Sequence, residues 1–177
     1  MRRELFLHFS FWFALFVFVA VVKHYFALNY TLFWLGGLLG VVLPDLDHLI
    51  YVYFIKPTDL SSQRINYLLN KKELMRSIDL LYETRAERNG LIFHTILFQA
   101  IFFVLTFWIL SSSGSYFGMG LALSFLFHLS VDQLLDLDNL KNIDSWFTNL
   151  PFKWDFKQSK TYWIVSMAIV VLIGLFV

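Results

Sequence analysis

The sequence predicts an all-α protein: a polytopic transmembrane helical bundle of about five spans with a cytoplasmic helical insertion. Three observations predict it. The 177 residues are 58% hydrophobic and 20% aromatic, with a mean hydropathy of +0.63, too apolar for a soluble domain of this length. The apolar residues gather in five long runs, about 5–27, 31–55, 91–111, 116–137 and 161–177. The basic residues gather between them in a one-sided way. With the N-terminus in the cytoplasm, thirteen of the fourteen Lys and Arg fall inside and only Lys23 falls outside.

The elements follow in order, as one membrane domain over 1–177. Met1-Arg2-Arg3 before a long apolar run resembles a signal sequence, but the run is longer than an h-region and no small-x-small site follows it, so an uncleaved first span is expected. In the second run, Gly36, Gly37 and Gly40 let another helix approach closely, and Pro44 loosens the helix just beyond them. Residues 56–90 are polar and charged. Asn70 and Glu73 form a capping-box pattern, followed by a helical face at Leu74, Ile78 and Leu81 running to about Arg88. The 111–115 stretch, Ser-Ser-Ser-Gly-Ser, is a turn between the third and fourth spans. Residues 138–160 mix Trp146, Phe147, Phe152, Trp154 and Phe156 with Lys153, Asp155 and Lys157, the pattern of a segment lying at the membrane interface.

Net charge is +1, which supplies no electrostatic case for nucleic acid, and the absence of Cys limits any metal site to His and carboxylate ligands. The partner that composition does imply is the lipid bilayer. Within it, the run Leu-Pro-Asp-Leu-Asp-His at 43–48 is costly, because each Asp near a helix centre is penalised by about 2.5–3.5 kcal/mol. A divalent cation offsets that penalty. Asp45 and His48 are i,i+3 and share a face; His128 and Asp132 are i,i+4, with Ser124 and Asp136 on the same stripe. The topology puts these residues and His94 at one depth, in the inner half of the bilayer. Asp45, Asp47, His48, His94, His128 and Asp132 are therefore the expected metal ligands, for Zn²⁺ first and Mn²⁺ or Fe²⁺ as alternatives. The rival reading of 43–48 is a polar knot satisfied by amides freed at Pro44; for His128 and Asp132 it is a hydrogen bond between helices. His8 lies at the cytoplasmic start of the first span, where His is also common at headgroup level. His24 lies at its outer end and is expected to be interfacial. Glu87 is a ligand or general-base candidate against a solvated helix end, and Asp136 and Asp138 are expected in the headgroup zone.

The motifs Gly40–His48, Arg88–His94 and His128–Asp132 resemble the YdjM-like family of inner-membrane putative metal-dependent hydrolases. The resemblance covers roughly residues 1–137 and is most specific at Pro44-Asp45-Leu46-Asp47-His48. In place of the family's His-Arg-Gly this chain has Glu87-Arg88-Asn89-Gly90, and Phe93 precedes His94 where the family has Thr. The resemblance implies a multi-pass protein of a bacterial-type inner (plasma) membrane and hydrolytic chemistry. The expectation is a metal site at the cytoplasmic face, with Asp45 or Asp47 accepting a proton from metal-activated water, Arg88 steadying an anion, and a phosphoester or lipid-like substrate. A non-enzymatic protein whose metal or polar cluster is structural is the alternative. A transporter is the third reading, and the almost wholly apolar outer halves of the spans count against it.

Overall fold

The computed structural model describes residues 2–137, 140–148, 150–151 and 154–176, with side chains omitted for 2–4 and 140–142. Every regular element among them is helical. Helix α1 spans Arg2–Lys23, α2 Thr31–Gly40, α3 Leu46–Ile50, α4 Leu60–Asn70 and α5 Leu74–Glu83; α6 spans Ile96–Ser112, α7 Tyr116–Leu137, α8 Leu140–Trp146 and α9 Phe156–Gly174.

Among the described residues, three segments are long and apolar enough to cross a membrane: Leu5–Lys23, Leu28–Ile55 and Tyr116–Leu137. Five such runs are expected from sequence, and the difference has a local cause. Residues 91–95 are drawn out of the third run, so α6 keeps 17 residues, a rod of about 26 Å against a hydrocarbon core of about 30 Å. Helix α9 opens with Lys157, Gln158, Ser159 and Lys160, which dilute its apolar character.

Helix α7 is the axis of the bundle. Its N-terminal part packs on α2 with almost no side chain between them: a Cβ on Gly36 would strike the Phe117 carbonyl, one on Gly40 would reach the Leu121 carbonyl, and one on Gly120 would strike the Phe33 carbonyl. Such backbone contact is how helices associate where lipid removes the hydrophobic drive. Around it Leu15, Phe16, Val19, Phe33, Leu123 and Leu126 form one core, with Phe16 and Phe33 stacked at 4.6 Å. A second core of Phe125, Leu129, Ile143 and Trp146 lies toward the other end of α7. Helices α6, α7 and α9 are joined by a buried amide network. Gln133 Nε2 donates to Gln99 Oε1 at 2.9 Å, the Tyr162 hydroxyl donates to the same oxygen at 2.9 Å, and the Trp163 indole donates to the Ser130 carbonyl.

Pro44 breaks the second run as expected. The chain leaves α2 at Gly40, makes a 3-10 turn at Leu43–Asp45, resumes as α3 and ends in a π-helical turn at Tyr51–Ile55. Such turns store irregular backbone and recur beside functional sites.

The 56–90 insertion departs from its expected form. It holds two helices instead of one running to Arg88. Asn70 ends α4, Lys72 turns the chain with φ +60°, and Glu73 sits at the N-cap of α5 with no side-chain cap, so the Asn70–Glu73 capping box does not form. The interfacial segment also differs. Trp146 and Phe147 are buried in the second core rather than turned outward, because the Trp146 indole donates to Asp136 at 2.8 Å. Phe152, Lys153 and Asp138 lie outside the described residues.

Paired substitutions at two glycines of α7 test the close packing. Gly120→Ala places a methyl against the Phe33 carbonyl and is expected to cost about 1–3 kcal/mol by overpacking. Gly118→Ala meets its nearest neighbour at 3.5 Å and is expected to stabilise by up to about 1 kcal/mol through helix propensity. Thermal unfolding in detergent should shift in opposite directions for the two.

Candidate metal centre

Irregular backbone shielded from water leaves amides that need partners. Between the 3-10 turn at Arg85–Glu87 and α6, the chain is non-helical, turning at Gly90 (φ +96°) and entering α6 through Thr95, whose hydroxyl accepts from the Phe98 amide. Asp47 on α3 supplies the missing acceptors. Its carboxylate takes N–H groups from Ile92 (3.1 Å), Phe93 (2.6 Å) and His94 (3.3 Å). The same carboxylate lies 3.1 Å from His94 Nδ1. Asp47 is fully buried, and both its oxygens are engaged in holding this strap.

The strap turns His94 toward α7, where Asp132 is the hub. His94 Nε2 lies 2.8 Å from Asp132 Oδ2, His8 Nε2 of α1 lies 3.0 Å from Oδ1, and His128 Nε2, one turn earlier on α7, lies 3.0 Å from Oδ2. His8 and His128 stack at 4.3 Å. One ligand atom from each of His8, His128 and Asp132 lies within 4.8 Å of the others, and all three residues are buried. Asp45 stands at the edge, its side chain 29% exposed and its Oδ1 3.7 Å from His128 Nε2.

The hydrogen bookkeeping of this group is incomplete without a cation. His128 Nδ1 lies 2.7 Å from the Val41 carbonyl, an acceptor only, so Nδ1 carries the ring hydrogen. In the neutral ring Nε2 then presents a lone pair to two carboxylates. That atom is buried and has no hydrogen-bond partner. His94 has the same difficulty, with carboxylates facing both ring nitrogens. Either second protons or a cation must stand between these groups, and the missing hydrogen-bond geometry at His128 Nε2 suits a cation. The arrangement of Asp47 behind His94 is the carboxylate–histidine pattern that orients metal ligands. The donors therefore fit a divalent metal, with His8, His128 and Asp132 as the tightest set and His94 adjoining it.

Two arginines complete the site. Arg85 reaches into it, donating to Asp132 Oδ1 at 2.8 Å and to Asp136 Oδ2 at 3.1 Å. Arg88 is buried, and all three guanidinium nitrogens are used inside the protein: Nε donates to His48 Nδ1 (3.2 Å), Nη1 to Thr84 Oγ1 (2.8 Å) and Nη2 to the Leu81 carbonyl. Burial and the neighbouring Arg85 push the Arg88 guanidinium down to about 10, which leaves it a cation at neutral pH. A cavity of about 10 Å³, room for about one water, opens beside His94 and is lined by Arg85, Arg88, Asp136 and Trp146.

All six residues expected as ligands thus fall in one region, in different positions. Asp132, His128 and His94 form the centre; Asp45 flanks it; Asp47 lies behind His94. His48 stacks on His94 at 5.2 Å and offers its Nδ1 to Arg88. His8 joins the centre, while His24 and Glu87 are exposed and Asp136 is taken up by Arg85 and Trp146. Arg85 was legible only as one more loop cation. Its spacing of three from Arg88 is the one sequence signal that both turn the same way from a helix end.

Asp47→Ala should remove the acceptor of three N–H donors, at about 1–3 kcal/mol for the buried His94 amide and less for the part-buried Ile92 and Phe93 amides. Hydrogen exchange is expected to accelerate across 91–95 while the centre of α7 stays protected.

Comparison with protein-family models, curated proteins and solved structures finds no match to this chain.

Proposed function

We propose that the protein is a membrane-embedded, metal-dependent hydrolase of the YdjM-like kind, acting on a phosphoester or lipid-like substrate at the cytoplasmic face of a bacterial-type inner membrane. The observation that carries the reading is the convergence of three imidazole Nε2 atoms on the buried Asp132 carboxylate, with His128 Nε2 left without a hydrogen-bond partner. His8, His128, Asp132 and His94 would hold the cation. Two imidazoles or more with one carboxylate favour Zn²⁺, with Mn²⁺ or Fe²⁺ as alternatives. Helices α6 and α9 complete five spans in a locally thinned bilayer, and the basic bias sets the N-terminus inside.

A divalent cation held by His8, His128, Asp132 and His94 would supply Lewis-acid polarisation of a phosphoester and a water acidic enough to ionise near neutral pH. The chain's own residues do the rest. Asp45, partly exposed beside His128, is the carboxylate placed to accept a proton. Asp47 fixes the hydrogen of His94 on Nδ1 and so keeps Nε2 turned to the centre. Arg88 acts at one remove, clamping His48 to the end of α5.

A second reading has its own support. Arg85 already lies against Asp132 and Asp136, and its charge partly neutralises the cluster without a metal. On that reading the polar knot only holds α1, α6 and α7 together, as a structural cluster does.

Metal analysis separates the two. Purified protein loaded with Zn²⁺, Mn²⁺ or Fe²⁺ should retain one of them stoichiometrically, and His8→Ala, His128→Ala and Asp132→Asn should each lose it, while the exposed His24→Ala should not. Absence of bound metal under every loading favours the structural cluster. On a phosphoester panel, Asp45→Asn should keep the metal and lose about 10²–10⁴-fold in rate.

A further inference from the structure

The helical insertion does not stand off from the apolar segment that precedes it. Ile78, Leu81 and Tyr82 of α5 form one wall of a cleft of about 180 Å³, and Leu46 and Leu49 of the membrane-competent segment Leu28–Ile55 form the other. Asp45 and His48 lie in the same lining, so the apolar cleft runs up to the edge of the metal centre. Both walls continue outward as exposed apolar surface. Val42 and Leu46 are 46% and 43% exposed on one side, and Leu74 and Met75 of α5 are more than 60% exposed on the other. Leu74, Met75, Ile78, Leu81 and Tyr82 fall on one face of α5, the spacing of a helix lying in a membrane surface, and Lys71 and Lys72 stand just before its first turn.

We propose that this cleft receives part of one acyl chain of an anionic bilayer lipid, entering sideways from the membrane and bringing the lipid's headgroup to Asp45. That the lipid is also the substrate rests on the hydrolase reading above; the chain-binding cleft does not. A lipid is the occupant because the cleft is continuous with the surface that a bilayer covers and half its wall belongs to a membrane-crossing segment. A cleft of that volume has room for a short stretch of acyl chain. Lys71 and Lys72, exposed just before α5, favour an anionic membrane surface over a neutral one.

The test uses the full chain in vesicles of phosphatidylglycerol and phosphatidylethanolamine. They are doped with phosphatidylglycerol bearing a photoactivatable diazirine on one acyl chain, and adducts are mapped by mass spectrometry. Adducts should concentrate on residues 42–49 and 78–82 above the level on the outward Phe6 and Phe13 of α1, which any lipid reaches. Ile78→Trp, and from the opposite wall Leu49→Trp, should fill the cleft and reduce its adducts about tenfold, leaving those on α1 unchanged. Labelling of the cleft no higher than that of α1, or equal labelling in wild type and both tryptophan variants, overturns the proposal. Metal content of the same samples keeps the two readings apart. Normal metal without cleft adducts overturns the cleft alone, and cleft adducts without metal under any loading overturn the hydrolase alone.

Discussion

One buried carboxylate organises this protein. Asp132 is touched by His8 from the first helix, by His94 from the strap before α6, by His128 from its own helix and by Arg85 from the insertion. Four parts of the chain, up to 124 residues apart, are held to one side chain. A charge in so apolar a setting is tolerable only when its neighbours answer it. That demand explains why the strap abandons helical geometry: a regular helix through 91–95 would have kept its amides to itself and left Asp47 without donors. Loss of helix in the strap and placement of the imidazole are two sides of one arrangement.

The general plan was legible because it rests on local chemistry. Apolar runs announce helices, Pro44 announces a break, and an i,i+4 pair at His128 and Asp132 announces a shared face. The cluster was legible in part: His128, Asp132 and His94 come together, while Asp45 flanks them, Asp47 lies behind His94 and His48 turns to Arg88. What sequence could not show is which of them faces which. Asp45 and Asp47 are two residues apart and look alike, yet one is partly open and the other is enclosed by three amides. That distinction comes from where α6 begins, at its Thr95 cap rather than at the start of the apolar run. His8 meets Asp132 across 124 residues, through the packing of α1 on α7, and no local pattern signals that pairing. Trp146 and Phe147 mislead for the opposite reason, since an aromatic-rich stretch reads the same at an interface as in a core, and the indole bond to Asp136 decides it.

The insertion shows the same limit at larger scale. Its composition is that of a water-exposed loop, and two helices with a lysine turn between them fit that reading. Yet one face of α5 is apolar, and it lies against the segment that carries Asp45 and His48. Average polarity hides such a face, whereas its helical period reveals it.

The glycine contacts between α2 and α7 bear on inheritance as well as on stability. The Val41 carbonyl that fixes the His128 ring follows Gly40 directly, and Gly40 rests on the main chain of α7. The separation between that carbonyl and that ring is therefore set by backbone meeting backbone. Residues on the outer faces of both helices can drift freely among apolar types without moving the imidazole. Over long divergence, such a chain can lose nearly all recognisable likeness along its lipid-facing surface and still keep the spacing of its polar centre.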